Sequence, residues 1–76
     1  MKYNVYLIEA TEDADIGYDC YDSFVIIASS PIEARNYCMS GDEGQDTWLN
    51  KKLSTVKKIG ESNKPKGCYC ASFNQG

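Results

Sequence analysis

Ser30-Pro31-Ile32-Glu33 marks the one point at which this chain must turn helical. A serine placed to cap, a proline at the first helical position and a glutamate three residues after the serine together make a capping box. The tetrapeptide follows Ser23–Ala28, a compact apolar run of strand formers, so strand gives way to helix within a few residues. Ile32, Ala34 or Arg35, and then Cys38 or Met39 recur at helical spacing, and Gly41 is placed to stop the helix in the left-handed region. The pattern predicts a short helix of roughly two to three turns.

The rest of the chain reads as strands. Residues 2–9 alternate, with Tyr3, Val5 and Leu7 on one face and Asn4, Tyr6 and Ile8 on the other. Residues 11–21 are polar, acidic and glycine-containing and read as a loop, while 41–52 form a polar connection that holds the only tryptophan, Trp48. Leu53–Ile59 has the alternation of a half-exposed strand, Gly60–Gly67 is turn-like around Pro65, and Cys68–Phe73 reads as a final strand. The expected class is therefore α+β, in the order β-β-α-β-β, with one small antiparallel sheet and the helix packed on one face. With 76 residues there is room for one core, so residues 1–76 are expected to form a single domain without a deep catalytic cleft.

Charge narrows the partners. A formal net charge of -3 and a pI near 4.7 argue against general affinity for nucleic acid or anionic membrane. No run approaches the roughly 18 apolar residues of a membrane span, and the first ten residues are too interrupted for a secretory signal, so a cytoplasmic location is expected. The charge is segregated: from Glu9 to Asp46 there are ten acids and one base, Arg35, whereas Lys51–Lys66 holds six lysines and one acid, Glu61. Such blocks read either as a solvated surface whose halves attract each other or as an acidic face presented to a basic partner.

The chemical motifs argue against an enzyme. There is no histidine, which removes Ser-His and Cys-His mechanisms. Asp13, Asp15, Asp19 and Asp22 lie close together, but a loop outside so small a core offers little burial to raise a carboxylate pKa. Asp13 and Asp15 fit the first and third ligand positions of a calcium loop, yet Gly17, Tyr18 and Phe24 stand where a ligand, a glycine and a closing glutamate are needed. Gly41–Gly44 lacks the lysine and spacing of a phosphate loop. Cys20, Cys38, Cys68 and Cys70 leave three readings open: reduced core thiols, two disulfides, or a four-thiolate zinc site in which Cys68 and Cys70 share a strand face. No cofactor and no metal is expected.

The segment Tyr18-Asp19-Cys20-Tyr21-Asp22-Ser23-Phe24-Val25-Ile26-Ile27-Ala28, followed by Glu33-Ala34-Arg35, Trp48, Val56–Gly60 and the ending Ala71–Gly76, resembles a group of small proteins encoded by tailed bacteriophages and prophages. The resemblance spans most of the chain and implies origin more than activity. A tiny acidic domain of such origin is expected to act in the host cytoplasm by binding a host protein, in the manner of an anti-CRISPR inhibitor whose carboxylates and tyrosines occupy a basic channel built for phosphate. The candidate contact surface is Glu12, Asp13, Asp15, Asp19, Asp22, Asp42, Glu43 and Asp46, with Tyr18 and Tyr21 as anchors. Two alternatives stand beside it: an assembly accessory whose sheet edges build a homo-oligomer, and a small cysteine-based metal-binding module. The domain is thus a monomer or a small homo-oligomer, and direct nucleic-acid binding through Lys51, Lys52, Lys57, Lys58, Lys64 and Lys66 is the minority expectation.

Overall fold

The computed structural model describes residues 2–11, 20–38 and 46–74. Its elements run β1 (Tyr3–Ala10), β2 (Cys20–Ala28), α1 (Pro31–Asn36), α2 (Asp46–Leu49), β3 (Ser54–Ser62) and β4 (Gly67–Asn74). Strands of eight, nine, nine and eight residues stand against helices of six and four, so the expected α+β class is corrected to one closer to all-β.

Two physical reasons account for the correction. The capping box specifies where a helix starts, not how far it runs. The Ser30 hydroxyl accepts from the Glu33 N–H (3.2 Å), and the Glu33 carboxylate reaches back to the Ser29 N–H (2.9 Å), one residue beyond the cap itself. The helix then closes early, because the N–H groups of Tyr37 and Cys38 bond to the carbonyls of Ala34 and Arg35, the tighter three-residue spacing of a terminating turn. Gly41, the expected stop, lies outside the described residues. The strands meanwhile outgrow their local signals: β2 starts at Cys20 because Cys20 and Tyr21 pair with Asn74 and Phe73, and β3 runs on to Ser62 because Gly60, Glu61 and Ser62 pair with Val5, Asn4 and Tyr3.

The four strands form one antiparallel sheet in the order β3-β1-β2-β4. β2 and β3 therefore run in the same direction with β1 between them, and their connection must cross one face of the sheet. That crossing carries α1 and α2 onto the face. β3 and β4 are consecutive in sequence yet occupy opposite edges, about 14 Å apart at a strand spacing of about 4.8 Å. Residues 63–66 must span that gap across the ends of β1 and β2, close to the reach of about 17 Å for so few residues. The crossing is held down by Tyr69, whose hydroxyl donates to the Pro65 carbonyl (2.7 Å), and by Lys66, whose ammonium lies 3.4 Å from a Glu33 oxygen and 5.5 Å from the Tyr3 ring centre.

The core lies between the sheet and the helices. Tyr6, Ile8, Phe24, Ile26 and Ala28 from the central strands meet Ala34, Cys38 and Trp48 from the helical side. Trp48 is fully buried and packs edge-on against Phe24 (4.8 Å between centroids, 88° between planes). The opposite face carries Val5, Leu7, Val25 and Ile27, paired Val5 with Ile27 and Leu7 with Val25 across the two central strands. The smallest dimension of the molecule, 16 Å, accommodates the sheet and a single covering layer about 10 Å away.

Candidate functional site: a cationic cleft beside the helices

Arg35 organises the helical side. Its Nη1 donates to the Trp48 carbonyl (2.9 Å) and to the Ser54 hydroxyl (2.7 Å), and its Nη2 to the Ser54 carbonyl (3.0 Å). One planar guanidinium thus ties α1 to the last turn of α2 and to the first residue of β3. Ser54 completes the knot, its hydroxyl 3.3 Å from both the Trp48 and Asn50 carbonyls. The Trp48 carbonyl is one of those a one-turn helix leaves without an intrahelical partner, and these two donors satisfy it.

Beside this clip lies a cleft of about 660 Å³, lined by Ser30, Pro31, Ile32, Arg35 and Asn36 of α1 and its cap, Leu49 of α2, Lys51, and Val56 of β3. Its volume falls within the range of ligand pockets. The walls are mostly apolar and unusually exposed: Ile32 is 72% exposed and Leu49 44%. Two cations stand among them. Among the described residues neither Arg35 nor Lys51 has a carboxylate partner, the one ion pair being Lys66 with Glu33. The cleft therefore combines apolar contact area with positive charge that no described side chain neutralises.

The surface expected from the sequence is placed only in part. Glu12, Asp13, Asp15, Tyr18, Asp19, Asp42 and Glu43 lie outside the described residues. Asp46 opens α2. Asp22 is exposed at an irregularity where β2 loses register with β4. Tyr21, expected as an anchor, is half-buried with its ring stacked on Phe24 (5.2 Å, 28°), so part of its area serves the core. Lys57 and Lys58 are exposed on β3, while Lys51 borders the cleft.

The thiols separate into different environments. Cys38, Cys68 and Cys70 are free. The expectation that Cys68 and Cys70 share a face is corrected: a register break between Val25 and Ile26 puts Cys68 opposite Ile26, packed against the core, and Cys70 opposite Val25 on the other face. Burial pushes the Cys38 thiol up to about 12 and raises Cys68 as well, which makes both poor nucleophiles and poor metal ligands. Among the described residues no three His, Cys, Asp or Glu side chains are grouped to hold a metal ion, and no helix is long and apolar enough to cross a membrane.

The signal for the cleft was present in the sequence but scattered. Arg35 stood out as the single base among ten acids, which is the mark of a cation with a specific task, but its partners lie 13 and 19 residues further on. Comparison with known proteins returns no match to a family model, a curated protein or a solved structure.

Proposed function

We propose that this chain is a protein-binding domain that takes an acidic, apolar-containing segment of a partner into the cleft between α1, α2 and β3. The observation that carries this reading is the pairing of Arg35 and Lys51 with exposed Ile32 and Leu49 around one cavity. Isolated exposed aliphatics are ordinary; a cluster of them around cations that no described side chain neutralises is suited to a ligand that is apolar along one side and anionic along the other. Arg35 is held by three neutral oxygens and so presents its charge in a fixed place, whereas Lys51 carries its charge on a long, exposed side chain at the cleft's border.

Fluorescence anisotropy with short labelled peptides tests the reading. Peptides alternating Asp or Glu with Leu or Phe are expected to bind, and the same peptides with Lys in place of the acids are not. Lys51→Glu and Ile32→Asp, both at exposed positions, should each weaken binding about tenfold, equivalent to about 1.4 kcal/mol. Equal binding of acidic and basic peptides, or indifference to both substitutions, would refute it.

A second reading rests on the segregation of charge in the sequence. The ten acids between Glu9 and Asp46 suit a basic partner, and the resemblance to small phage proteins makes a host nucleic-acid-handling complex a natural target. In this reading the domain is an anti-CRISPR-like inhibitor acting in the host cytoplasm. Reversal of Asp15 and Asp19 to lysine should abolish recovery of the partner from host lysate, and unchanged recovery sinks the idea.

A further inference from the structure

We infer that the face of the sheet turned away from α1 and α2 is an interface between two copies of this chain, packed sheet against sheet about a two-fold axis.

An antiparallel sheet with one face in water normally alternates apolar and polar residues along each strand, because only one side needs to be buried. The two central strands here do not. β1 sends Tyr6 and Ile8 into the core and Val5 and Leu7 to the opposite face; β2 sends Phe24 and Ile26 inward and Val25 and Ile27 outward. The register sets Val5 beside Ile27 and Leu7 beside Val25, a block of four aliphatics at the centre of the face. Ile27 is already buried at 4% exposure, while Val5, Leu7 and Val25 each keep part of their surface in solvent. Strands apolar on both faces are those found sandwiched between two layers, and the described residues supply one.

The occupant follows from charge and area. The charged residues on this face are Glu9 at the end of β1, Asp22 at the β2 bulge beside Ser23, and Lys57 on β3, two acids and one base. A nucleic acid or an anionic membrane would need a cluster of cations there, and a strongly basic partner a cluster of acids. A face with an aliphatic centre and both signs of charge at its margin can set Lys57 of one copy against Glu9 or Asp22 of the other, as a two-fold contact allows. Four strands about 4.8 Å apart and eight residues long at about 3.3 Å per residue make a face of about 500 Å². Two such faces bury about 1,000 Å², the lower bound for a specific interface, so a reversible dimer with micromolar affinity is expected. Sheets packed this way sit about 10 Å apart with strands crossing at about 30°.

Light scattering and sedimentation equilibrium from low micromolar to several hundred micromolar protein test the inference. The expected result is a concentration-dependent mass that rises from the 8.5 kDa of the chain to twice that value. Val25→Thr keeps the β-branched shape while making the block polar, and should weaken the dimer about tenfold with secondary structure unchanged. Leu7→Lys should abolish the dimer, with near-ultraviolet circular dichroism of Trp48 reporting that the core is retained. A monomer over the whole range would overturn the inference, and so would a dimer indifferent to both substitutions. If residues 12–19 of the same chain cover the face, the protein stays monomeric and Leu7→Lys lowers its melting temperature, a third way for the inference to fail.

Discussion

Replacement of Arg35 by lysine tests how this sheet holds its helices. The guanidinium makes three hydrogen bonds, of 2.7, 2.9 and 3.0 Å, to acceptors that belong to two other elements. Each bond from a charged donor is worth about 1.5–3 kcal/mol when the group is well buried. Arg35 is half-buried, so solvent competes for it, and the three bonds act as a unit rather than adding. Lysine keeps the charge and can satisfy one acceptor in place of three. The net loss is expected to be about 2 kcal/mol. For a domain of this size that is a fall in melting temperature of about 10 °C, and a large part of the stability of about 3–5 kcal/mol that a small core supplies. The assay is urea unfolding followed by Trp48 fluorescence, run as a double-mutant cycle with Ser54→Ala. Because the Ser54 hydroxyl shares the knot, the two substitutions should couple by about 1 kcal/mol. A lysine variant within about 0.5 kcal/mol of the parent, or energies that simply add, would show that the clip does not fasten the helices and that α2 is held by Trp48 burial alone.

Three further predictions rest on separate features. Ser30→Ala removes the hydroxyl that caps the Glu33 N–H and should cost about 1 kcal/mol, seen as a melting temperature about 5 °C lower. Trp48→Ala empties the centre of the core at a cost of about 3–5 kcal/mol, enough to unfold so small a domain at 37 °C, whereas Trp48→Phe should remain folded; circular dichroism separates the two. The Cys38 thiol, raised from 9.0 to about 12 by burial, keeps its proton in the folded state where the unfolded chain has lost it. Its contribution is therefore complete below pH 9 and is lost between pH 9 and about 12, with stability falling by about 1.4 kcal/mol per pH unit; Cys38→Ala should flatten that alkaline slope in unfolding titrations.

The parts of the fold that were legible in the sequence are those encoded over a few adjacent residues. The alternation of residues 2–9 and the Ser30–Glu33 cap each specify a structure that forms with little help from elsewhere. What lay beyond reach depends on distant partners. Cys20 and Tyr21 look like loop residues and become strand because β4 pairs with them, and Gly60-Glu61-Ser62 looks like a turn and becomes strand because β1 does. α2 is a single turn in a polar connection; no propensity argument supports a helix that short, and it is fastened by Trp48 burial and by the bonds of Arg35 and Ser54 to the Trp48 carbonyl. The same dependence hid the cleft, whose walls come from residues 30–36, 49–51 and 56. The aliphatic second face was legible in part: Tyr3, Val5 and Leu7 were already on one side and Tyr6 and Ile8 on the other, but only the register of β1 against β2 turns two apolar stripes into a continuous block.

The positions of the two proposed surfaces constrain each other. The cleft is built from α1, α2 and Val56, on the side of the sheet that faces the core. The aliphatic block of Val5, Leu7 and Val25 lies on the other side. A dimer that buries the block therefore leaves both clefts on its outer surfaces, facing away from each other, and neither function blocks the other. A single acidic peptide should bind with one copy per chain and with an affinity that Val25→Thr leaves unchanged, because the substitution is on the far side of the sheet. A partner carrying two such segments on a tether long enough to reach around the dimer gains from the second contact at a high effective concentration, and that gain is about 10²-fold or more. Val25→Thr should remove the gain while sparing the single-peptide affinity, and Lys51→Glu should reduce both. If Val25→Thr weakens the single peptide as well, the cleft and the dimer interface are not on independent faces, and the two-layer reading of the molecule is wrong.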